Sequence, residues 1–472
     1  MSERKRDIIL LVALAGIIRA TIAAITQNAP GDPDCRALMS VDWACHPHLL
    51  RYGVWLPLHF YSIGLIYYLV GNPLIAGKLL SVITGTLTVI PLYNISTRLF
   101  GRKVALFTGL LLSILGMHVA LSSLTMSEAP FALFALLAAD IMLEQSLCKK
   151  PTARRVLLAA FLLAIGGGFR HEAWLMTGIF SIWMLFSSKM RKFVIPYAVI
   201  GLLPFVLWGA MNYTAGYGFL YPLSGIDTIK KSELAGRTPL NILHIVHRWA
   251  VSFTKDPGPF VFMASIVGMW LAVKRRLNIN MVALAIAMLL PLAYKSFTTP
   301  GWDPRDRYVI IPALLLLPYA AYAVYGITKC TKKQTWIAAA LIILTLGMQE
   351  ADYSRHSKLC LPIRDRNPDE MQVSKFLSTE IKQNDRLLCV NNYQLQAYGI
   401  ILRSGGYRSF KVLELENDDF SAGGKKAASE FHPTLVVVQK EYHPSTELIG
   451  HSARNIYSSG VYQVFRIPQS GS

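Results

Sequence analysis

The chain has 472 residues, 53% hydrophobic and only 16% charged, with a mean hydropathy of +0.39, against roughly 25% charged residues in soluble domains; a water-soluble globule of this size is excluded. The net charge of +19 suggests nucleic acid, but residues 352–472 hold 15 basic and 13 acidic side chains, so +17 belongs to the residues before them, where the bases sit in short clusters between apolar runs. A nucleic-acid binder gathers its bases on one folded face, so that partner is excluded too.

The apolar runs stop at Met348 and the remainder reads as ordinary soluble protein. The expected fold is a polytopic α-helical membrane protein of about eleven spans, residues 1–350, with a small C-terminal α/β domain, residues 351–472. A hydrocarbon core about 30 Å thick asks for about 20 apolar residues per helix. In chain order the spans are expected near 8–26, 79–98, 104–121, 128–147, 156–169, 173–187, 193–211, 259–273, 279–294, 308–328 and 335–349. Between them lie Arg4-Lys5-Arg6, Arg98/Arg102/Lys103, Lys149/Lys150/Arg154/Arg155, Lys189/Arg191/Lys192, Lys274-Arg275-Arg276 and Lys329/Lys332/Lys333. With the N-terminus inside, all 19 of these residues face the cytoplasm, as the positive-inside rule requires. The C-terminal domain is then extracytoplasmic.

The segment Pro57–Val70 decides this topology. Counting it as a span moves 16 of the 19 charges to the outer face. It is short, rich in aromatic residues (Phe60, Tyr61, Tyr67, Tyr68) and closed by Gly71-Asn72-Pro73, so it is read as a helix lying in the outer interface. The N-terminal run is too long for a removable signal peptide and lacks a convincing cleavage site, and is expected to remain as a helix. The outer side then owns a first loop at 27–78, a second large loop at 212–258, a short loop at 295–307 and the tail. In the tail, an amphipathic helix is expected near Asp369–Lys382 and strands near Arg386–Val390, Phe410–Glu414, Leu435–Gln439 and Val461–Ile467. A Cys35–Cys45 disulfide is a further expectation, and no Cys/His spacing suggests a metal site.

Several charged residues on the outer side stand out. Gly31-Asp32-Pro33-Asp34-Cys35-Arg36 follows the first span; two acids and an arginine there suit a general base held by a guanidinium, or a polar loop. Arg19, in the outer half of that span, needs a counter-charge if buried. Ser127-Glu128 opens a helix, either as a cap with a dipole-favoured acid or as a site residue. The runs Val156–Phe169 and Ala173–Phe186 are each about 14 residues or about 21 Å long, so the turn Arg170-His171-Glu172 is expected below the outer surface. Polar residues at that depth need a partner or a water-filled cavity; an Arg–Glu staple between helices and a functional cavity both meet that need. Trp302-Asp303-Pro304-Arg305-Asp306-Arg307-Tyr308 precedes another span. Arginines at a helix start oppose the dipole and are suited by an anion such as a lipid phosphate, gripped bidentately, or by snorkelling to headgroups.

Taken together, these residues resemble the GT-C class of glycosyltransferases, the polyprenyl-phosphate-sugar-dependent enzymes that include protein O-mannosyltransferases and aminoarabinose transferases. Six matches carry the resemblance, over roughly residues 7–350: an acid after the first helix (Asp32 or Asp34, with Arg36); an interfacial helix approached through Gly53-Val54-Trp55-Leu56-Pro57-Leu58; an Arg-Leu-Phe-Gly-Arg turn at Arg98–Arg102; Ser-Glu-Ala-Pro-Phe at Ser127–Phe131; Arg-His-Glu-Xaa-Trp at Arg170–Trp174; and Arg-Tyr-Xaa-Xaa-Xaa-Pro at Arg307–Pro312. The family often has two adjacent acids in the first loop; here Pro33 separates them, and either one fits.

The resemblance implies transfer of a sugar, such as mannose, from a polyprenyl-phosphate donor to an acceptor hydroxyl with inversion, Asp32 or Asp34 acting as general base. Arg170, Arg305 and Arg307, with His171 and Lys295, would meet the departing phosphate, while Glu128 and Glu172 would hold the acceptor or orient the arginines. It implies no obligatory cofactor or metal, because cationic side chains supply the charge, and it implies membrane lipids, the lipid-linked sugar and an acceptor glycan, lipid or protein as partners. The location implied is the plasma membrane, or the ER membrane in a eukaryote. A transporter or lipid flippase is the first alternative, although no internal repeat between halves is visible. A non-catalytic scaffold is the second, and leaves the convergence of these charges without a cause.

Overall fold

The computed structural model describes residues 2–26, 31–50, 53–221, 223–224, 242–255, 257–298, 306–327, 331–355, 368–391, 394–414, 430–439 and 453–468. The first half of the chain builds α1 (Glu3–Ile25), α2 (Asp32–Cys45), α3 (Pro57–Val70), α4 (Pro73–Leu87), α5 (Val89–Phe100), α6 (Arg102–Ile114), α7 (Gly116–Ser123), α8 (Glu128–Leu147), α9 (Ala153–Phe169), α10 (Glu172–Leu185) and α11 (Val194–Thr214). There follow α12 (Ile242–Lys255), α13 (Pro259–Lys274), α14 (Asn280–Thr298), α15 (Ile310–Ile327) and α16 (Thr331–Arg355). The tail holds α17 (Pro368–Glu380), β1 (Leu387–Asn391), α18 (Gln394–Ser404), β2 (Phe410–Glu414), β3 (Leu435–Gln439), β4 (Arg454–Ser459) and β5 (Tyr462–Arg466).

All eleven expected spans fall on helices or helix pairs. By length and composition, six stretches among the described residues are able to cross a membrane: Glu3–Ile25, Pro73–Phe100, Glu128–Leu147, Arg191–Thr214, Asn280–Thr298 and Arg307–Ile327. The pair α6–α7, bent by 56°, makes a seventh. Other expected spans are shorter, among them α10 and α13, and the interfacial candidate α3 is also a short apolar helix. The innermost helices are α8 and α15, with 72% and 78% of their spanning windows buried, against 22% for α1. Apolar side chains that remain exposed, such as Ile9, Leu10, Ile17, Ile195, Val199, Leu203 and Ile343, lie on the outer helices, where hydrocarbon replaces water as their solvent.

The bend between α6 and α7 explains Arg19. Leu115 is extended at the break, so carbonyls at the end of α6 lose their regular i+4 partners. The fully buried Arg19 guanidinium donates to Leu112 O at 3.1 Å, Ser113 O at 3.5 Å and Ala15 O at 3.1 Å, and meets His118 Nδ1 at 2.8 Å. Carbonyl oxygens and an imidazole, rather than an acid, meet the two terminal nitrogens of this arginine.

The tail strands form one sheet in the order β2-β1-β3-β5-β4. The pairs β1–β2 and β1–β3 are parallel, with Cys389 opposite Val412 and Val437; β3–β5 and β4–β5 are antiparallel. Helices α17 and α18 cover the face that presents Leu387, Cys389, Leu435, Val437 and Val464. Ala37 and Leu38 of α2 complete that same core, so a helix that follows closely on α1 is packed into a sheet more than three hundred residues later in the chain.

Two expectations need correction. The first loop is not an open segment with one interfacial helix: α2 fills its first half, and α4 begins at Pro73, before the expected end at 78. The Cys35–Cys45 disulfide is absent, both thiols being free. Both residues belong to α2, and ten residues of α-helix separate them by about 15 Å, far beyond the reach of a disulfide.

Candidate active site

Local sequence starts the site. Gly31 adopts φ 105°, a region that side chains disfavour, and Pro33 supplies the fixed φ of a first helical turn. Asp32 and Asp34 therefore occupy the first turn of α2, where the helix dipole favours carboxylates. Glu128 is likewise the first residue of α8, and Ser127 makes no side-chain capping bond there. Phe169 ends α9, an extended Arg170 turns the chain, and Glu172 opens α10. Arg307 lies in a single 3-10 turn, Asp306–Val309, leading into α15.

These ends meet. Arg307 Nη1 donates to Asp32 Oδ2 at 2.6 Å, and its Nε lies 3.8 Å from Glu128 Oε1. The same Glu128 oxygen accepts from Arg170 Nη1 at 2.5 Å. Arg170 also grips Glu172, through Nε at 3.1 Å and Nη2 at 2.6 Å to Oε1. The result is a continuous line, Asp32–Arg307–Glu128–Arg170–Glu172. Glu128 at its centre is fully enclosed, while Asp32 at its end keeps 24% of its side chain exposed. The Tyr308 ring sits 5.9 Å from both guanidinium groups.

Other expected residues flank this line. Arg36 is buried with its guanidinium 4.8 Å above the Trp55 ring and within electrostatic range of Glu128 and Asp32. His171 packs edge-on against Trp174, with ring centroids 4.7 Å apart, and the half-buried Lys295 of α14 acts on it electrostatically. Arg305 and Asp303 lie outside the described residues, as does the side chain of Asp306.

Asp34 goes elsewhere. Its enclosed side chain accepts from Arg403 Nη1 of α18 at 3.1 Å, and the same nitrogen reaches Glu370 Oε1 of α17 at 3.1 Å. Neither Arg403 nor Glu370 was flagged from the sequence, because no motif marks them. Tyr308 and Trp55 were seen only as parts of matching stretches. Between the two acids, burial pushes the Cys35 thiol up to about 12, which removes it from consideration as a nucleophile at neutral pH.

Chemically, three arginines stand among three carboxylates at one end of a helical bundle. The set balances its own charge, keeps a partly exposed carboxylate at each end of the line, Asp32 at 24% and Glu172 at 18%, and offers planar donors suited to a phosphate. Among the described residues no group of three or more His, Cys, Asp or Glu is arranged to hold a metal ion.

Residues 46–209, about a third of the chain, match the family described as dolichyl-phosphate-mannose-protein mannosyltransferase; the stretch holds Glu128, Arg170, His171 and Glu172. In fold, the chain is similar to ArnT from Cupriavidus metallidurans bound to undecaprenyl phosphate, with a TM-score of 0.62 at 11% identity, covering 97% of each chain. It is similar to the archaeal oligosaccharyltransferase AglB from Archaeoglobus fulgidus in complex with an inhibitory peptide and a dolichol-phosphate, with a TM-score of 0.56 at 11% identity over 93% of this chain and 70% of that one. It is also similar to the arabinofuranosyltransferase AftD from Mycobacteria, with a TM-score of 0.55 at 13% identity over the whole chain and 42% of that one. No curated protein matches in sequence. The family match over residues 46–209 and the shared fold bear out the resemblance drawn from the sequence, to a membrane glycosyltransferase of the GT-C class.

Proposed function

We propose that the protein is an inverting glycosyltransferase that moves a sugar, such as mannose, from a polyprenyl-phosphate donor to an acceptor hydroxyl on the extracytoplasmic side of the membrane. The acceptor oxygen attacks the anomeric carbon from the face opposite the phosphate. Asp32 takes the hydroxyl proton, the bond from the anomeric carbon to the phosphate oxygen breaks, and polyprenyl phosphate departs with that electron pair. General-base catalysis of this kind contributes about 10²–10⁴ in rate. The leaving phosphate gains charge as the bond breaks, so Arg170 and Arg307 stabilise the transition state more than the bound donor. Arg36 and Lys295 add to the positive wall, His171 lines it, and Glu128 and Glu172 hold the two arginines in place. The acceptor is a glycan, lipid or protein, and both substrates reach the site from the lipid or the outer surface.

The observation that carries this reading is the ion-pair line itself. Arg307 holds Asp32 at rest, so a donor phosphate that draws Arg307 away also frees the carboxylate beside the reacting carbon. Asp32 is preferred to Asp34 because Asp34 is enclosed and bound to the tail. The test is transfer from labelled polyprenyl-phosphate sugars by the purified protein, with Asp32→Asn and Asp34→Asn alongside. Asp32→Asn is expected to lower kcat by about 10²–10⁴ while donor binding persists, and Asp34→Asn to keep the acidic limb of the pH–rate profile. Transfer by Asp32→Asn at the wild-type rate, or no transfer by the folded wild type from any donor, overturns the proposal.

A further inference from the structure

The second first-loop acid has a different task. Successive residues of an α-helix are about 100° apart around its axis, so Asp32 and Asp34 project to nearly opposite sides of α2. One side meets Arg307 of the membrane part and the other meets Arg403 and, through it, Glu370 of the tail. All three side chains of that second group are at most 9% exposed. Further along α2, Ala37 and Leu38 enter the tail core while Arg36 stacks on Trp55, so the helix is wedged between the two parts of the molecule. Its rotation about its own axis decides where Asp32 points.

We infer that Arg403 and Glu370 are positioning residues: they fix the rotation of α2 through Asp34 and thereby keep Asp32 aimed into the active site, which gives the C-terminal domain a place in the reaction. This rests on the assignment of Asp32 as the base. A buried charge that loses its partner is costly, so removing the Arg403 charge sets two enclosed carboxylates against each other, with Lys78 in electrostatic range of Asp34, and loosens the hold of the tail on α2. A misplacement of about 1 Å at a reacting group costs on the order of 100-fold in rate.

The experiment compares the full-length wild type with Arg403→Gln, Arg403→Lys, Glu370→Gln and Asp32→Asn, reading kcat, donor and acceptor KM, and hydrogen exchange of the α2 amides. Arg403→Gln is expected to lower kcat on the order of 100-fold, leave both KM values within about twofold and speed exchange in α2, while α8 and α15 remain protected. Arg403→Lys, which keeps the charge, should recover part of kcat, and Glu370→Gln should show a smaller loss of the same kind. A raised acceptor KM with unchanged kcat would assign the tail to substrate binding instead and overturn the inference. So would unchanged kcat, or a loss that merely follows the unfolded fraction and is not relieved by Arg403→Lys. If Asp32→Asn keeps wild-type turnover, the base assignment fails by itself, and exchange in α2 still reports whether Arg403 holds the helix.

Discussion

Glu128 is the residue on which the site turns. Read as a sequence, Ser127-Glu128 fitted an ordinary helix start; in the fold, Ser127 caps nothing and Glu128 lies between two arginines. The stretch Arg170–Glu172 illustrates the same limit. The short apolar runs around it announced buried charge, and the Arg–Glu staple exists, yet only the fold reveals that Arg170 also reaches back 42 residues to Glu128. Burial was legible from run length, whereas partners were not. Glu128→Gln keeps the shape and removes the charge, leaving Arg170 and Arg307 to repel one another in an enclosed site. Loss of one member of a buried pair typically costs about 3–5 kcal/mol, so the variant should unfold at lower temperature than the wild type and transfer sugar poorly. A lipid phosphate replaces the missing negative charge, so polyprenyl phosphate should raise the melting temperature of Glu128→Gln by more than it raises that of the wild type. An equal shift in both proteins would mean that the arginines do not face the phosphate.

At the scale of elements, long apolar runs marked where the bundle's helices lie, six or seven stretches among the described residues being long and apolar enough to cross a membrane, and alternation gave β1, β2, β3 and β5. Two kinds of element escaped. Strand β4, Arg454–Ser459, is an edge strand with mostly exposed or half-buried residues, so it carries little apolar alternation to read. Helix α2 was hidden for a different reason: Cys35, Ala37, Leu38, Val41 and Ala44 form its apolar set, but the tail core that buries part of it arrives more than three hundred residues later. Pro33 after an acid was the available signal of a helix start. Because α2 is held by the tail, truncating it should weaken a domain to which it does not belong in sequence. Leu38 is 2% exposed, and Leu38→Ala should cost about 2–5 kcal/mol, seen as a lower unfolding temperature together with faster amide exchange in β1 and α18. Leu38→Met, close in volume, should cost less than about 1.5 kcal/mol. A loss confined to the membrane helices would place Leu38 outside the tail core.

At the scale of the whole molecule, charge is sorted to the two ends of the bundle. Helix α8 runs 20 residues from Glu128, about 30 Å and close to the thickness of a hydrocarbon core. At its start is the ion-pair line. Toward its other end Asp140 and Glu144 accept from Arg98 at 2.9 Å, and nearby Arg102 donates to Asp7 at 2.5 and 2.9 Å. These are residues of the basic clusters that set orientation in the sequence, so the site is expected at the end facing away from the cytoplasm. Two native thiols report on this directly: Cys45, exposed at the end of α2, and Cys148, half-buried just past α8. In variants that retain only one of them, with serine at the other cysteine positions, a membrane-impermeant maleimide applied to intact cells should label Cys45 and spare Cys148. Permeabilised cells should label both. Burial, and after it Asp42, raise the Cys45 thiol above its ordinary pKa. The reactive thiolate is then a minority at neutral pH, and the labelling rate should still climb about tenfold per pH unit on the alkaline side of neutrality. Labelling of Cys148 but not Cys45 in intact cells would invert the chain, turn the arginines toward the cytosol and remove the outward-facing donor site.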